Sequence, residues 1–395
     1  MLYLRVSAAM MALLWGALFC CVDCPAPIAG IPIADTVRYP LDCYDRDAYL
    51  APIWGGDSNI VYHESVMPLM NPDGSMDDIP LLYAINEIIS VRSSDLQTEY
   101  TEDQDYALID GKLRILEGGS IQRVAHSTMY PTEEIEVPGG SLLFPGKGGV
   151  NWVWCEGGLR FHEMQLDVTY IRSDAFHGAL PARQGKRLPK TMAKLQFGEP
   201  LRVLVYGDSI SVGAQSSGWA GGAPHVPAYY DLFAEGLRSL ESSGEVTIVN
   251  RSVGGAASYW GAENAREAAT EKPDLAVIAF GMNDGSGNVK TCDYIRNTLK
   301  IMAEIRAQSP DCEFILVATM LPNPKSQFDT GMHEKYLCPL KALAQKGVAV
   351  ADMTTMHRQL LERKRYEDFN GNNINHPNDF LARVYAQVLL ETVCP

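Results

Sequence analysis

The sequence contains no run of lysine or arginine longer than the three residues Arg363-Lys364-Arg365, and no pair of histidines at metal-ligand spacing. It also lacks an apolar stretch of comfortable membrane-spanning length. The first absence argues against nucleic acid as a partner. Lys+Arg total 33 against Asp+Glu 48, a formal charge of −15 that repels phosphate backbones and anionic lipid surfaces alike. The second absence argues against a zinc site, because only Cys21 and Cys24, near the N-terminus, stand at CxxC spacing. No metal and no cofactor is therefore expected. The third absence bears on residues 1–26. The apolar run from Ala8 to Val22 follows Arg5 and is cut off by Asp23 and Pro25. A span needs about 20 apolar residues, so this segment reads as a signal peptide, with an N-terminal anchor as the alternative. A secreted, periplasmic or cell-surface location follows. Past the leader remain Cys43, Cys155, Cys292, Cys312, Cys338 and Cys394, an even number that suggests disulfides in an exported protein.

What is present divides in two. Residues 40–172 are β-rich, with short apolar runs at Ile79–Leu82, Glu87–Val91, Tyr106–Ile109 and Lys112–Leu116 between Asp, Gly, Ser and Pro. Asp110-Gly111 tolerates positive φ and marks a hairpin. The spacing predicts a sandwich-like accessory domain. Gly146-Lys147-Gly148-Gly149 lacks the Ser/Thr and the following helix of a phosphate loop, and reads as a plain loop. Residues 173–200 have no sustained period and read as a connector.

From Leu201 strands and helices alternate. Strands are expected at Leu201–Tyr206, Val246–Asn250, Leu275–Phe280, Glu313–Ala318 and Val348–Ala351. Helices are expected at Ala228–Leu240, Tyr294–Ala307, Glu334–Gln345 and Phe380–Leu390. Near-continuous apolar strands between helices imply a parallel sheet covered on both faces, in an α/β domain spanning 201–395. In such sheets chemistry gathers at the carboxyl ends of the strands.

Four polar or glycine-bearing blocks fall at those ends or in late loops. They are Gly207-Asp208-Ser209, Gly254-Gly255, Gly281-Met282-Asn283-Asp284 and Asn375-His376-Pro377. In this order they resemble the GDSL/SGNH hydrolase superfamily, over residues 201–395. The resemblance implies a flavodoxin-like sheet and ester hydrolysis through an acyl-enzyme. It implies Ser209 as nucleophile and His376 as base, with Gly255 and Asn283 donating to the oxyanion beside the Ser209 N–H. Plainer uses exist for each: Ser209 as a helix cap, Gly254-Gly255 as a turn that leaves either glycine eligible, Asn283 as a turn residue and His376, ahead of Pro377, as a loop histidine with satisfied hydrogen bonds. The family usually places an aspartate three residues before the histidine, and here that position holds Asn373. Asn373 is thus one candidate for the group that orients His376, and Asp379 and Asp368 are the others.

Trp219 and Trp260 follow the first two blocks and are candidates to stack on sugar rings, with core packing as the commoner use. No long apolar lid segment lies near the blocks. The expected substrate is an O-acyl ester, best an O-acetyl group on an oligo- or polysaccharide. A lipase, lysophospholipase or thioesterase is the alternative enzyme, and a glycan-binding protein on an inactive scaffold is the alternative of another kind.

Overall fold

A computed structural model describes residues 36–55, 58–240 and 244–395. The leader, with Cys20, Cys21 and Cys24, lies outside the described residues. Strands β1 (Ile60–Val66), β2 (Ile85–Ser93) and β7 (Leu166–Arg172) form an antiparallel sheet in the order β1-β7-β2. Two hairpins accompany it: β3 (Tyr106–Ile109) with β4 (Lys112–Ile115), and β5 (Ser141–Pro145) with β6 (Trp152–Glu156). Asp110 and Gly111 turn the first hairpin at φ 49° and 73°, as their tolerance of the left-handed region predicts. The run Ile79–Leu82 is not a strand. Only Ile79 makes a bridge, to Leu113, because Pro80 has no N–H to continue a ladder.

The predicted connector contains a 3₁₀ turn (Gly185–Arg187) and helix α1 (Pro189–Phe197). Its start and stop signals are local: Pro189 occupies the first turn, where a missing N–H costs nothing, and Gly198 ends the helix at φ 67°. Five strands follow: β8 (Leu201–Gly207), β9 (Val246–Asn250), β10 (Leu275–Ala279), β11 (Glu313–Ala318) and β12 (Val348–Asp352). All pair in parallel, in the order β12-β11-β10-β8-β9. Renumbered within this sheet the order is 2-1-3-4-5, the flavodoxin-like arrangement, whose switch point lies between β8 and β10.

Alternate strand residues feed opposite cores. Val203, Val277, Val317 and Ala351 pack with helices α2 (Tyr229–Arg238) and α7 (Asp379–Val393). Leu204, Ile278, Leu316 and Val350 pack with α3 (Ser258–Ala268), α4 (Thr291–Gln308) and α5 (His333–Ala342). The antiparallel sheet joins the first of these cores, with Val66, Val91 and Val168 in the same apolar cluster as Leu381 and Leu389 of α7. Helix α7 is consequently buried on nearly every side. Its Gln387 side chain accepts from Ile53 N (3.1 Å) and donates to the carbonyls of Tyr49 (2.9 Å) and Ala51 (2.7 Å). A third cluster, with Met129, Tyr130, Trp154 and Phe161, takes in Ile374 from the loop before α7.

Cys43, Cys155, Cys292, Cys312 and Cys338 are free thiols, contrary to the expectation of a disulfide framework. They stand on separate elements: a loop ahead of β1, β6, the start of α4, the residue before β11 and the middle of α5. Among the described residues no helix is long and apolar enough to cross a membrane.

Candidate active site

The end of β8 bends sharply into a short helix, Ser209–Val212. Gly207 allows the backbone of β10 to approach at this point, since a Cβ there would lie 2.5 Å from Ala279 O. Asp208 caps the helix through its carboxylate, which accepts from Ile210 N at 3.1 Å, and burial pushes its pKa up to about 7. Ser209 is half-buried and stands at the carboxyl end of β8, beside the switch point.

The chain leaving β9 is stapled to that end. Arg251 N donates to Val205 O (2.8 Å), and Val253 N donates to Gly207 O (3.1 Å). This brings Gly254 beside the serine: a Cβ on Gly254 would be 4.0 Å from the Ser209 Cβ. Gly255 is exposed at φ 76°, with open space where a side chain would stand. Of the two glycines, Gly254 is thus the one found against Ser209. Asn283, in the short helix Met282–Ser286 after β10, donates through Nδ2 to Ala256 O at 3.0 Å. That uses one of its two amide hydrogens. The neighbouring Asp284 accepts from Ser258 N at 2.8 Å and so caps α3. The second and third blocks are held together by these bonds.

His376 sits in the loop between α6 (Met353–Leu361) and α7. The Asn372 side-chain oxygen Oδ1 shapes this loop, accepting from the N–H groups of Ile374 (2.9 Å), Asn375 (2.9 Å) and His376 (3.0 Å). The imidazole Nε2 lies 2.7 Å from Ser209 Oγ. Burial pushes the His376 pKa down to about 4, so the ring is neutral at neutral pH. Its Nδ1 faces Oε1 of Gln215, a residue with no mark in the sequence beyond its polarity. Gln215 is buried, has φ 68°, and donates from Nε2 to the carbonyl of Gly157 at 2.7 Å.

The three candidates for orienting His376 have other partners. Asn373 takes φ 64° and turns its side chain toward the β-rich region. There it accepts from Tyr130 OH (3.1 Å) and Asn323 Nδ2 (3.0 Å), and donates to the carbonyls of Met129 (3.1 Å) and Trp154 (3.2 Å). Asp368 accepts from Met67 N (2.8 Å) and Arg365 N (3.1 Å). Asp379 accepts from Ser217 N (2.8 Å), with His162 Nδ1 3.9 Å away. Trp219 is 49% exposed, whereas Trp260 is half-buried against the core that holds Tyr206. Among the described residues no group of three or more His, Cys, Asp or Glu could hold a metal.

A flavodoxin-like sheet with a serine at the switch point and a neutral imidazole on its hydroxyl defines a serine carboxylic-ester hydrolase. Residues 205–383 match the GDSL-like lipase/acylhydrolase family. No protein of curated function matches the chain in sequence. Among solved structures it is similar to a two-domain esterase active on acetylated mannans, co-crystallised with mannopentaose. That match has 20% identity and a TM-score of 0.40, and covers 53% of this chain and 52% of the esterase, about half its length. It is similar also to an acetylxylan esterase from Geobacillus stearothermophilus, at 16% identity and TM-score 0.40 over 49% of this chain and 96% of that one. A third match is a lipase/acylhydrolase from Enterococcus faecalis, at 18% identity and TM-score 0.38 over 48% and 93%.

Proposed function

We propose that the protein removes O-acyl groups, best O-acetyl groups, from a carbohydrate by way of an acyl-enzyme on Ser209. The 2.7 Å contact between Ser209 Oγ and a neutral His376 Nε2 is the observation that carries this reading. The imidazole takes the hydroxyl proton as Oγ attacks the ester carbonyl, then returns it to the departing alcohol. Backbone N–H groups of Ser209 and Gly254 or Gly255, with the free amide hydrogen of Asn283, receive the oxyanion. Deacylation repeats the sequence with water as the nucleophile.

A carbohydrate ester suits the setting of the site better than a buried lipid chain does. Ser209, Asn283 and His376 are half-buried, and Val253, Gly254 and Gly255 beside them are exposed. Trp219 and Tyr259, 49% and 56% exposed, stand on the segments that follow the first two blocks and offer flat faces for sugar rings. The reading is tested with acetylated oligosaccharides beside p-nitrophenyl esters of short and long chain, for wild type and Ser209→Ala. Acetate release from the oligosaccharides, absent in Ser209→Ala, is expected. Preference for long acyl chains would make the protein a lipase, and failure of the wild type to react with a fluorophosphonate probe would make it a binding protein.

A further inference from the structure

We infer that Gln215 is the positioning residue of His376, holding by a neutral amide the tautomer that a carboxylate holds in a Ser-His-Asp arrangement, and that the β-rich region aims this amide through the Gly157 carbonyl. The inference rests on the reading of Ser209 as nucleophile and His376 as base.

A carbonyl oxygen can only accept, so the Gln215 atom 2.7 Å from Gly157 O is the NH₂ nitrogen. The other arm of the amide, Oε1, is then the atom that faces His376 Nδ1. An amide oxygen can only accept too, so Nδ1 carries the ring proton and Nε2 presents its lone pair to Ser209 Oγ. The direction of every proton in the chain Gly157–Gln215–His376–Ser209 is thus fixed from the β-rich end.

Two backbone features show that the site is built around this side chain. Gln215 occupies φ 68°, a region where glycine is easiest, and yet carries a long buried side chain there. Gly371, in the His376 loop, approaches so closely that a Cβ on it would lie 2.4 Å from the Gln215 Cβ.

Among the described residues no carboxylate is hydrogen-bonded to the imidazole, whose partners are Gln215 and Ser209. The titratable groups on the packed elements are engaged elsewhere: Asp208 with Ile210 N, Glu156 of β6 with Gly158 N and Arg160, and Asp379 with Ser217 N and His162. The imidazolium formed during attack therefore has a dipole, and no anion, at Nδ1. A carboxylate placed at Gln215 would favour the charged ring and raise the pH at which it forms.

The test compares wild type, Gln215→Met, Gln215→Glu and Ser209→Ala on p-nitrophenyl acetate across pH 4–9. Gln215→Met, which keeps the bulk and removes the acceptor, is expected to lower kcat by about tenfold to a hundredfold with KM little changed. Gln215→Glu is expected to recover much of kcat and to move the acid limb of kcat/KM upward by about one pH unit or more. An unchanged kcat in Gln215→Met overturns the inference, and so does a Gln215→Glu limb that stays where the wild type has it. If Gln215→Glu does not fold, imidazole ¹⁵N shifts of the wild type decide: protonated Nδ1 is expected, and protonated Nε2 overturns it. Activity surviving in Ser209→Ala would instead remove the reading of the nucleophile.

Discussion

Lys364 Nζ lies 2.6 Å from Glu64 Oε1, with both side chains shut off from solvent. Glu64 comes from β1 of the antiparallel sheet, and Lys364 lies between α6 and the loop that carries His376. The remaining polar atoms are satisfied: Glu64 accepts from Leu82 N (2.8 Å) and Tyr170 OH (2.8 Å), and Lys364 donates to Ser65 O (2.9 Å). Removing one partner strands the other charge in the interior. Lys364→Met should cost about 3–5 kcal/mol of stability, read from the midpoint of urea unfolding. A loss under about 1 kcal/mol would show that Glu64 finds water or protonates freely.

The β-rich region is expected to be inseparable from activity. Its Gly157 carbonyl aims Gln215, its Met129 and Trp154 carbonyls hold Asn373, and its strands cover α7. A detachable accessory domain, the expectation from sequence, would leave a chain beginning near Ser173 able to cleave small esters. We expect that truncated chain to be insoluble or inactive on p-nitrophenyl acetate. Soluble protein with wild-type kcat would restore the accessory reading.

Asn373 shows its worth in stability, not in chemistry. Aspartate at this position cannot donate to the carbonyls of Met129 and Trp154, and the side chain does not face the imidazole. Asn373→Asp should therefore lower the melting temperature and leave kcat no higher than wild type. Leaving buried polar groups unpaired costs about 1–3 kcal/mol each. A rise in kcat without loss of stability would mean that the loop turns Asn373 toward His376 in solution.

Asn283→Ala should depress kcat by about a hundredfold to a thousandfold, as for loss of one oxyanion donor, with KM little affected. A rise in KM alone would make Asn283 a ground-state contact. The bond from Nδ2 to Ala256 O adds a structural cost, so circular dichroism of the variant must match wild type for the kinetics to count.

The low pKa of His376, about 4, sets the direction of two pH effects. Neutral imidazole is the active base, so kcat/KM should stay level from neutral pH down to about 5 and fall below it. The unfolded ring binds its proton near pH 6.5, above the folded value, so stability contributed by the neutral ring is lost as pH falls from about 6.5 toward 4. His357, buried with its pKa pushed down to about 3, acts in the same direction. Asp208, pushed up to about 7, acts oppositely, its contribution declining as pH rises from about 4 to 7. An activity limb centred near 6.5 would mean that His376 is solvated or that its neighbour is an anion.

The parallel sheet was legible from sequence because both faces of its inner strands are buried. Near-continuous apolar runs such as those of β8 and β11 announce themselves without any knowledge of their neighbours. Ser209, the Gly254-Gly255 pair, Asn283 and His376 were legible because each strand end or late loop concentrates polar residues where an apolar core stops. The β-rich half was harder. Its strands β1 and β7 pair across a sequence gap of about a hundred residues, and Pro80 turned an apparent strand into a single bridge. Helix α1 was missed although Pro189 and Gly198 bracketed it, because too few of its residues are apolar to show a period.

By itself the sequence determined the strand–helix alternation and the parallel α/β class, which follow from local patterning, while the flavodoxin-like order and the pairing of Ser209 with His376 followed from the resemblance of four short blocks to the GDSL/SGNH hydrolases. Tertiary structure decided the partner of His376. Asn373 stands three residues away along the chain, but its φ of 64° sends its side chain into the β-rich region. Gln215 stands 161 residues away and reaches the imidazole because β8 and the loop before α7 end side by side. A hydrogen bond depends on direction as well as distance, and only the folded backbone supplies the direction.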